Sequence, residues 1–364
     1  MIIYFVLMVC SVMPSMIFNI NKNSKTKKMY LVFIFSLIAI ISSFRNITVG
    51  NDTHAYYYNY MLTGNMEWGV LFEARFEPGY FILCKILNYM SPNPLLLFLL
   101  VGCFISIAFA IHIYRNSTDV ILSTFIFLCM FFNSTMNVMR QYLAFSIVLL
   151  GIELLKGKKY IWYCIISVIA SLFHSSALVC LLYIVFIHYK YKRFHILLYI
   201  FIGTISFYSY FHIRHILQRI VDIIPTFNVF SRFFDSSHHF DGSIVGVFWL
   251  KIIMALLLLI FYIFVSNDKS NEEFSFSISN IIAWLVSQMI TTIMSFVSRL
   301  TTYFEFIILT ALPNSLERLK NGNSRVRIIL TVLVYLFFLL YFINAGRSIA
   351  NGTYDYSFIT SLRL

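Results

Sequence analysis

Arg45, Asp52, Arg75, Glu77, Arg140, His174 and Arg299 stand in polar breaks between long apolar runs, and the alternation of those runs puts them all on one side. Arginine presents a planar fork that matches two phosphate oxygens, and a carboxylate or an imidazole can take a proton from a hydroxyl. In a chain with so few charges, such a cluster is either a set of anchors or an active site.

Each segment supports both readings. In Arg45-Asn46-Ile47-Thr48-Val49-Gly50-Asn51-Asp52-Thr53-His54-Ala55-Tyr56 the residues around Gly50 indicate a tight turn whose side chains cap backbone amides. The same stretch offers a phosphate fork in Arg45 and a base in Asp52. Arg75-Phe76-Glu77-Pro78-Gly79-Tyr80 starts a helix with Pro78 in its first turn and Glu77 at its positive end, as a cap or as an acid. In Asn133-Ser134-Thr135-Met136-Asn137-Val138-Met139-Arg140-Gln141, a continuing helix would align Asn133, Asn137, Arg140 and Ala144 in one stripe. An arginine facing such a stripe at a membrane edge is expected to bind an anion. His174, alone within Ala170-Ser171-Leu172-Phe173-His174-Ser175-Ser176-Ala177, suits proton transfer or a hydrogen-bonded turn between two short helices. Ser298-Arg299-Leu300-Thr301-Thr302-Tyr303-Phe304-Glu305 puts Arg299 and Tyr303 on one helical face, with Glu305 further into the span, where a carboxylate needs a partner or a function. His238 and His239, between Asp235 and Asp241, have the residue types of a metal site without its spacing, and a solvated loop is expected there.

The elements that must position these segments are membrane helices. The 364 residues are 60% hydrophobic and 12% charged, with a mean hydropathy of +0.82, whereas soluble domains are roughly half apolar and a quarter charged. An ordinary soluble protein is excluded, and the net charge of +12 reads as the lysine and arginine of cytoplasmic loops, with no nucleic-acid partner. The expected fold is all-α, a polytopic transmembrane bundle forming a single integral membrane domain over residues 1–364. About twelve helices of near-spanning length are expected, at 1–18, 29–44, 94–114, 119–134, 138–155, 159–174, 175–189, 194–211, 246–265, 277–297, 300–313 and 327–345. Between them, 45–93 and 212–245 form long extracytoplasmic loops. The first holds a helix at Gly79 to Met90, too short to span and stopped by Ser91-Pro92-Asn93-Pro94, so re-entrant or interfacial. The second carries Ile213, Ile216, Leu217, Ile220 and Ile224 at the spacing of a helix lying on a membrane surface.

Most basic residues fall on the side away from the motifs: Lys22, Lys25, Lys27, Lys28, Arg115, Lys156, Lys158, Lys159, Lys190, Lys192, Arg193, Lys269, Arg318, Lys320, Arg325 and Arg327. The positive-inside rule makes that side cytoplasmic and sets both termini and every motif outside. Cys10, Cys84, Cys103, Cys129, Cys164 and Cys180 lie in apolar runs without CxxC pairing and read as small buried hydrophobes, implying neither a disulfide nor a zinc site.

Taken in order, the segments resemble the EpsG family of exopolysaccharide proteins, related to Wzy-type repeat-unit polymerases. The resemblance rests on Arg45 with Val49-Gly50-Asn51-Asp52-Thr53 and Tyr56, on Glu77-Pro78-Gly79-Tyr80, on Asn137-Val138-Met139-Arg140-Gln141-Tyr142-Leu143-Ala144, on Ala170 to Ala177, and on Ser298-Arg299-Leu300 with Tyr303-Phe304. It runs from about Arg45 to Pro313, and Tyr189 to Trp249 carry no matching motif.

The resemblance implies a polymerase of the bacterial plasma membrane, working on the extracytoplasmic face in O-antigen, capsule or exopolysaccharide biosynthesis. Its substrate would be an undecaprenyl-diphosphate-linked oligosaccharide, and the growing glycan would pass to the next lipid-linked unit. On that reading Arg45, Arg140 and Arg299 hold the departing diphosphate where its charge develops. Asp52, then Glu77 and His174, are the bases for the acceptor hydroxyl, with Arg75, Asn137, Gln141 and Tyr303 in support. No DxD-type metal motif is present in the sequence, so the arginines are expected to replace a divalent ion, and no cofactor is expected. Tyr56, Tyr57, Tyr58, Tyr60 and Trp68 either stack on sugars or form an interfacial belt. The lipid bilayer is the other partner, and a chain-length regulator is left open. An O-antigen ligase would share the donor, and the motif order favours the polymerase. A lipid-linked oligosaccharide flippase should line a path open to both sides, and an acyltransferase should pair a deep histidine with an acid that His174 lacks in sequence.

Overall fold

The structure, a computed structural model, describes residues 1–70, 76–190, 201, 242–266, 271–291, 297–319, 324–347 and 352–359. Arg75, the helix expected at 194–211 apart from Phe201, His238 and His239, and all but the last residues of the 212–245 loop lie outside these. No strand occurs among the described residues, which are helical apart from turns and one isolated antiparallel bridge between Arg45 and Phe358. Four helices are long and apolar enough to cross a bilayer: α2 (Ser24–Ser43), α5 (Leu95–Asn116), α11 (Gly242–Val265) and α15 (Ser324–Arg347). The chain divides into two compact units, residues 1–181 with 329–364, and residues 182–328.

The first unit also contains α1 (Ile2–Ile17), α3 (Thr53–Asn65), α4 (Pro78–Met90), α6 (Val120–Met130), α7 (Phe132–Asn137), α8 (Met139–Lys156) and α9 (Tyr160–Ser171). Every residue of α6 is buried, as expected of a helix that is apolar all round and so has no face for water. Phe109 of α5 and Phe127 of α6 meet with ring centroids 4.8 Å apart at the centre of this packing. On α2, Leu31, Ile34, Phe35, Ile38 and Ile41 recur every three or four residues and bury one face, while Val32, Phe33 and Ile40 stay exposed on the other. An apolar outer face of this kind suits a hydrocarbon solvent.

The two ends of the unit differ in charge. Around the start of α2, the Asn21 amide donates to Asp119 (2.8 Å), Lys27 to the Thr118 carbonyl (3.2 Å) and Lys156 to Asn116, which gathers the basic residues there. At the far end of α2, some 30 Å away for a helix of this length, lie the starts of α3, α4 and α8 and the end of α9. The second unit holds α10 (Leu182–His188), α11, α12 (Glu272–Ile290), α13 (Val297–Glu305) and α14 (Ile308–Arg318). Its buried carboxylate, Glu305, accepts from Lys251 of α11 at 2.7 Å, which satisfies the need for a partner.

Several element boundaries differ from the sequence expectation. The 45–93 loop contains a second helix, α3, whose Thr-His-Ala-Tyr-Tyr-Tyr run has no apolar periodicity and so gave no helical signal. The expected helix 175–189 is a 3-10 segment, Ser175–Leu181, followed by α10. The expected continuation through Asn133 to Arg140 breaks at Val138, which has φ −94° and ψ 53°, so the single polar stripe does not exist. The 300–313 helix divides between α13 and α14 at Phe306 and Ile307.

Arg45, just past α2, is only 3% exposed. Its guanidinium donates to the Ser42 carbonyl, to the Met136 carbonyl (3.2 Å) and to Thr53 Oγ1 (3.4 Å), and lies 4.6 Å above the Phe98 ring. Burial pulls its pKa down to about 10, which leaves it charged at neutral pH. The segment 352–359 closes over the same turn: the Ser357 carbonyl accepts from Asn46 N–H (2.9 Å), Gly352 from Gly50 N–H (2.9 Å), and Phe44 from Ile359 N–H (3.0 Å). Tyr356 donates to the Ile41 carbonyl (2.7 Å), and the Met1 ammonium to the Tyr354 carbonyl (2.7 Å).

Hydrogen bonds to a charged group are worth about 1.5–3 kcal/mol each, and lysine cannot reproduce the fork, so Arg45→Lys should cost about 2–4 kcal/mol. A clear fall in the melting temperature of the purified protein is the expected outcome. An unchanged melting temperature would show that the guanidinium does not fix this turn.

Candidate active site

Gly50 has φ +93°, a left-handed conformation that glycine adopts without cost. A Cβ there would lie 2.9 Å from Thr53 Oγ1 and 3.4 Å from both the Met136 carbonyl and the Asn137 Cα. The turn is therefore pressed against the α7–α8 break. Asn137, buried at that break, accepts from the Asp52 N–H through Oδ1 at 3.0 Å. Asp52 occupies the cap position of α3 and is exposed, yet its carboxylate makes no cap hydrogen bond. The capping in this turn comes from Asn46, whose Oδ1 accepts from Thr48 N–H at 3.2 Å.

Glu77 likewise stands at the cap position of α4, with Pro78 in the first turn, and makes no cap bond either. One carboxylate oxygen pairs with Arg140, and the other accepts from Ser175 N–H at 3.3 Å. Arg140 begins α8 and is clamped from below as well, with its guanidinium carbon 4.1 Å from the centre of the Phe76 ring and 5.7 Å from that of Tyr80. Its side chain remains 17% exposed, and its Nε–H has no acceptor among the described residues. The α9 end reaches the site through Gly79, whose N–H donates to the Leu172 carbonyl at 2.8 Å. A Cβ on Gly79 would come within 2.8 Å of that oxygen, so the contact requires glycine. His174 is buried beside it, with Nδ1 2.5 Å from Ser176 Oγ.

Four of the five sequence segments thus converge in the first unit, and Asp52, Glu77, Asn137, Arg140 and His174 share one region of it. Gln141 is buried in the first turn of α8. Arg299 and Tyr303 belong to the second unit: Arg299 is exposed on α13, while Tyr303 is fully buried and its carbonyl accepts from the Tyr183 hydroxyl. Arg45 is in the first unit but enclosed, as described above.

Phe76 escaped the sequence reading, which named Tyr56 as a motif residue and as a stacking or belt aromatic. Phe76, between Arg75 and Glu77, is the platform under Arg140. Tyr56 is buried, and burial raises its phenol to about 12; the Asp52 charge adds to that rise, while Arg140 opposes it through charge and hydrogen bonding. One phenol therefore lies within electrostatic reach of both the acid and the arginine. Tyr60 is also buried, whereas Tyr58 and Trp68 are exposed.

The double engagement of Glu77 makes it the brace of the site. Glu77→Ala should remove the acceptor of the Ser175 amide and raise its hydrogen-exchange rate by about tenfold or more, since that bond is worth at least ~1.4 kcal/mol when charge-assisted. Exchange measured over residues 172–177 checks this, and unchanged protection would show that the carboxylate does not hold the loop.

No curated protein and no solved structure is significantly similar to this sequence. The sequence profile of the EpsG family matches residues 28–358, from α2 through the bridge segment beside Arg45. The match covers most of the chain and all the segments gathered around Arg140, and the protein belongs to the EpsG family.

Proposed function

We propose that the protein is an integral enzyme of the bacterial plasma membrane that polymerises undecaprenyl-diphosphate-linked oligosaccharide repeat units on the extracytoplasmic face. EpsG-type proteins are Wzy-like polymerases, and the clamped Arg140 carries the reading. Held by Glu77 and Phe76, it presents a fixed, partly exposed fork among the starts of α3, α4 and α8, whose positive ends all favour an anion. A diphosphate departing there would meet charge already in place.

In the proposed reaction the acceptor hydroxyl attacks the anomeric carbon of the growing glycan. The carbon–oxygen bond to the diphosphate breaks, its electron pair leaves with undecaprenyl diphosphate, and the hydroxyl proton passes to a base. Asp52 suits that role because it is exposed on the turn held against the α7–α8 break, where its own N–H donates to Asn137. Glu77 is committed to Arg140 and Ser175, so it serves to orient the arginine, and His174 follows as the second candidate base. Arg45, enclosed by carbonyls, fixes the turn that carries Asp52. Arg299 is the remaining proposed diphosphate ligand, with Tyr303 behind it, and Arg75 retains its supporting place.

Arg140→Lys keeps charge but loses the fork and should abolish most polymerisation with membrane insertion intact. Asp52→Asn should slow turnover by about 10² to 10⁴-fold, the usual contribution of a positioned base. Extension of purified lipid-linked repeat units at saturating substrate measures both, and normal turnover in both variants refutes the assignment. A deletion strain should accumulate single-repeat glycan. Loss of all surface glycan would indicate a flippase, and full-length polymer left on its lipid carrier would indicate a ligase.

The proposed orientation is supported by the basic residues gathered at the end of the first unit opposite Arg140. In intact or outer-permeabilised cells, a membrane-impermeant thiol reagent should label His54→Cys and spare Lys22→Cys. The reverse pattern would put the site on the cytoplasmic side.

A further inference from the structure

One face of α3 lines a cavity of about 500 Å³, within the range of ~300–1,000 Å³ typical of small-molecule sites. Asn51, in the turn before α3, and His54, Tyr58 and Asn59 of α3 line it together with Phe76 and Phe81. Among the described residues, none of those that line it is Lys, Arg, Asp or Glu. These side chains offer no charge to an ionic ligand, and a phosphate among them would be unpaired. The cavity does offer two side-chain amides, an imidazole and a half-exposed phenol ring, the Asn59 Oδ1 also accepting from Thr63 Oγ1 at 3.3 Å. Tyr58 is 50% exposed, and its ring is set 4.4 Å from that of His54.

This lining matches a pyranose. Neighbouring hydroxyls take the paired donors and acceptors of an amide, and the polarised C–H face of the sugar packs on the electron-rich face of an aromatic ring. The location assigns the sugar's role. Phe76 closes the cavity on one side and carries Arg140 on the other, and Asn51 immediately precedes Asp52. We propose that the cavity is the subsite for an uncharged sugar at the acceptor end of the glycan, which it holds with a hydroxyl directed toward Asp52. This assignment rests on the polymerase reading for the identity of the acceptor, but not for the binding of sugar.

The test uses full-length protein in detergent and, as probe, the reducing oligosaccharide released from its lipid by mild acid. Saturation-transfer NMR gives its Kd for the wild type and for Tyr58→Ala and Asn59→Ala, each first shown to be monodisperse. Binding to the wild type is expected, with Kd raised about tenfold or more in both cavity variants, the factor that corresponds to ~1.4 kcal/mol. Absence of binding to the wild type, or equal Kd in the cavity variants, overturns the assignment. The deletion strain separates the two ideas. Full-length polymer in that strain, together with cavity-dependent binding, leaves a glycan site in a protein that is not the polymerase; single-repeat glycan with equal Kd values leaves the polymerase and removes the subsite.

Discussion

A positive charge enclosed in protein sets the geometry of the first unit. Removing an ion from water costs several kcal/mol even after relaxation, and the cost is met only if its donors find acceptors in good geometry. Arg45 meets that condition with the Ser42 and Met136 carbonyls, Thr53 Oγ1 and the Phe98 ring. These partners come from the end of α2, the α7–α8 break, the start of α3 and α5, so satisfying one guanidinium fixes four parts of the chain at once. Gly50 and Asn137 then bring the Asp52 turn down onto the break that precedes Arg140.

The two arginines of this region show how surroundings divide one residue type into two roles. Arg45 is closed in and its fork is spent on the protein's own backbone. Arg140 has one edge held by Glu77 and one face held by Phe76, while part of the side chain remains open to the surroundings. A fork immobilised in this way loses little rotamer freedom when it meets an anion, which makes its charge more effective than that of a free surface arginine.

Much of this was legible in the sequence, because apolar runs of spanning length and their polar breaks are strong signals. α2, α5, α8 and α15 lie close to their expected limits, and Asp52, Glu77, Arg140 and His174 were singled out from their breaks. Other features leave no periodic trace. α3 is polar and aromatic all round, so neither a helical nor a strand period appears in it. The break at Val138 lies against the Gly50 turn, a contact between residues distant in sequence. For the same reason Arg45 read as a phosphate fork: its enclosure depends on Met136 and Phe98, which nothing local in the sequence connects to it. The exposed state of Tyr58 and the burial of Tyr56 and Tyr60 depend on how α3 rotates against α4, which the Tyr-rich run alone does not specify.

The segment at 352–359 reaches back across almost the whole chain: Tyr356 and its partner Ile41 are 315 positions apart. During synthesis the ribosome delivers α2 and the Asp52 turn long before the segment that hydrogen-bonds to them. Contacts of such high sequence separation form late, so the turn takes its hydrogen bonds from Gly352 and Ser357 only after α15 has been made. A chain cut before residue 352 would carry Arg45, Asp52, Glu77 and Arg140 and still lack the backbone partners of the turn between the first two.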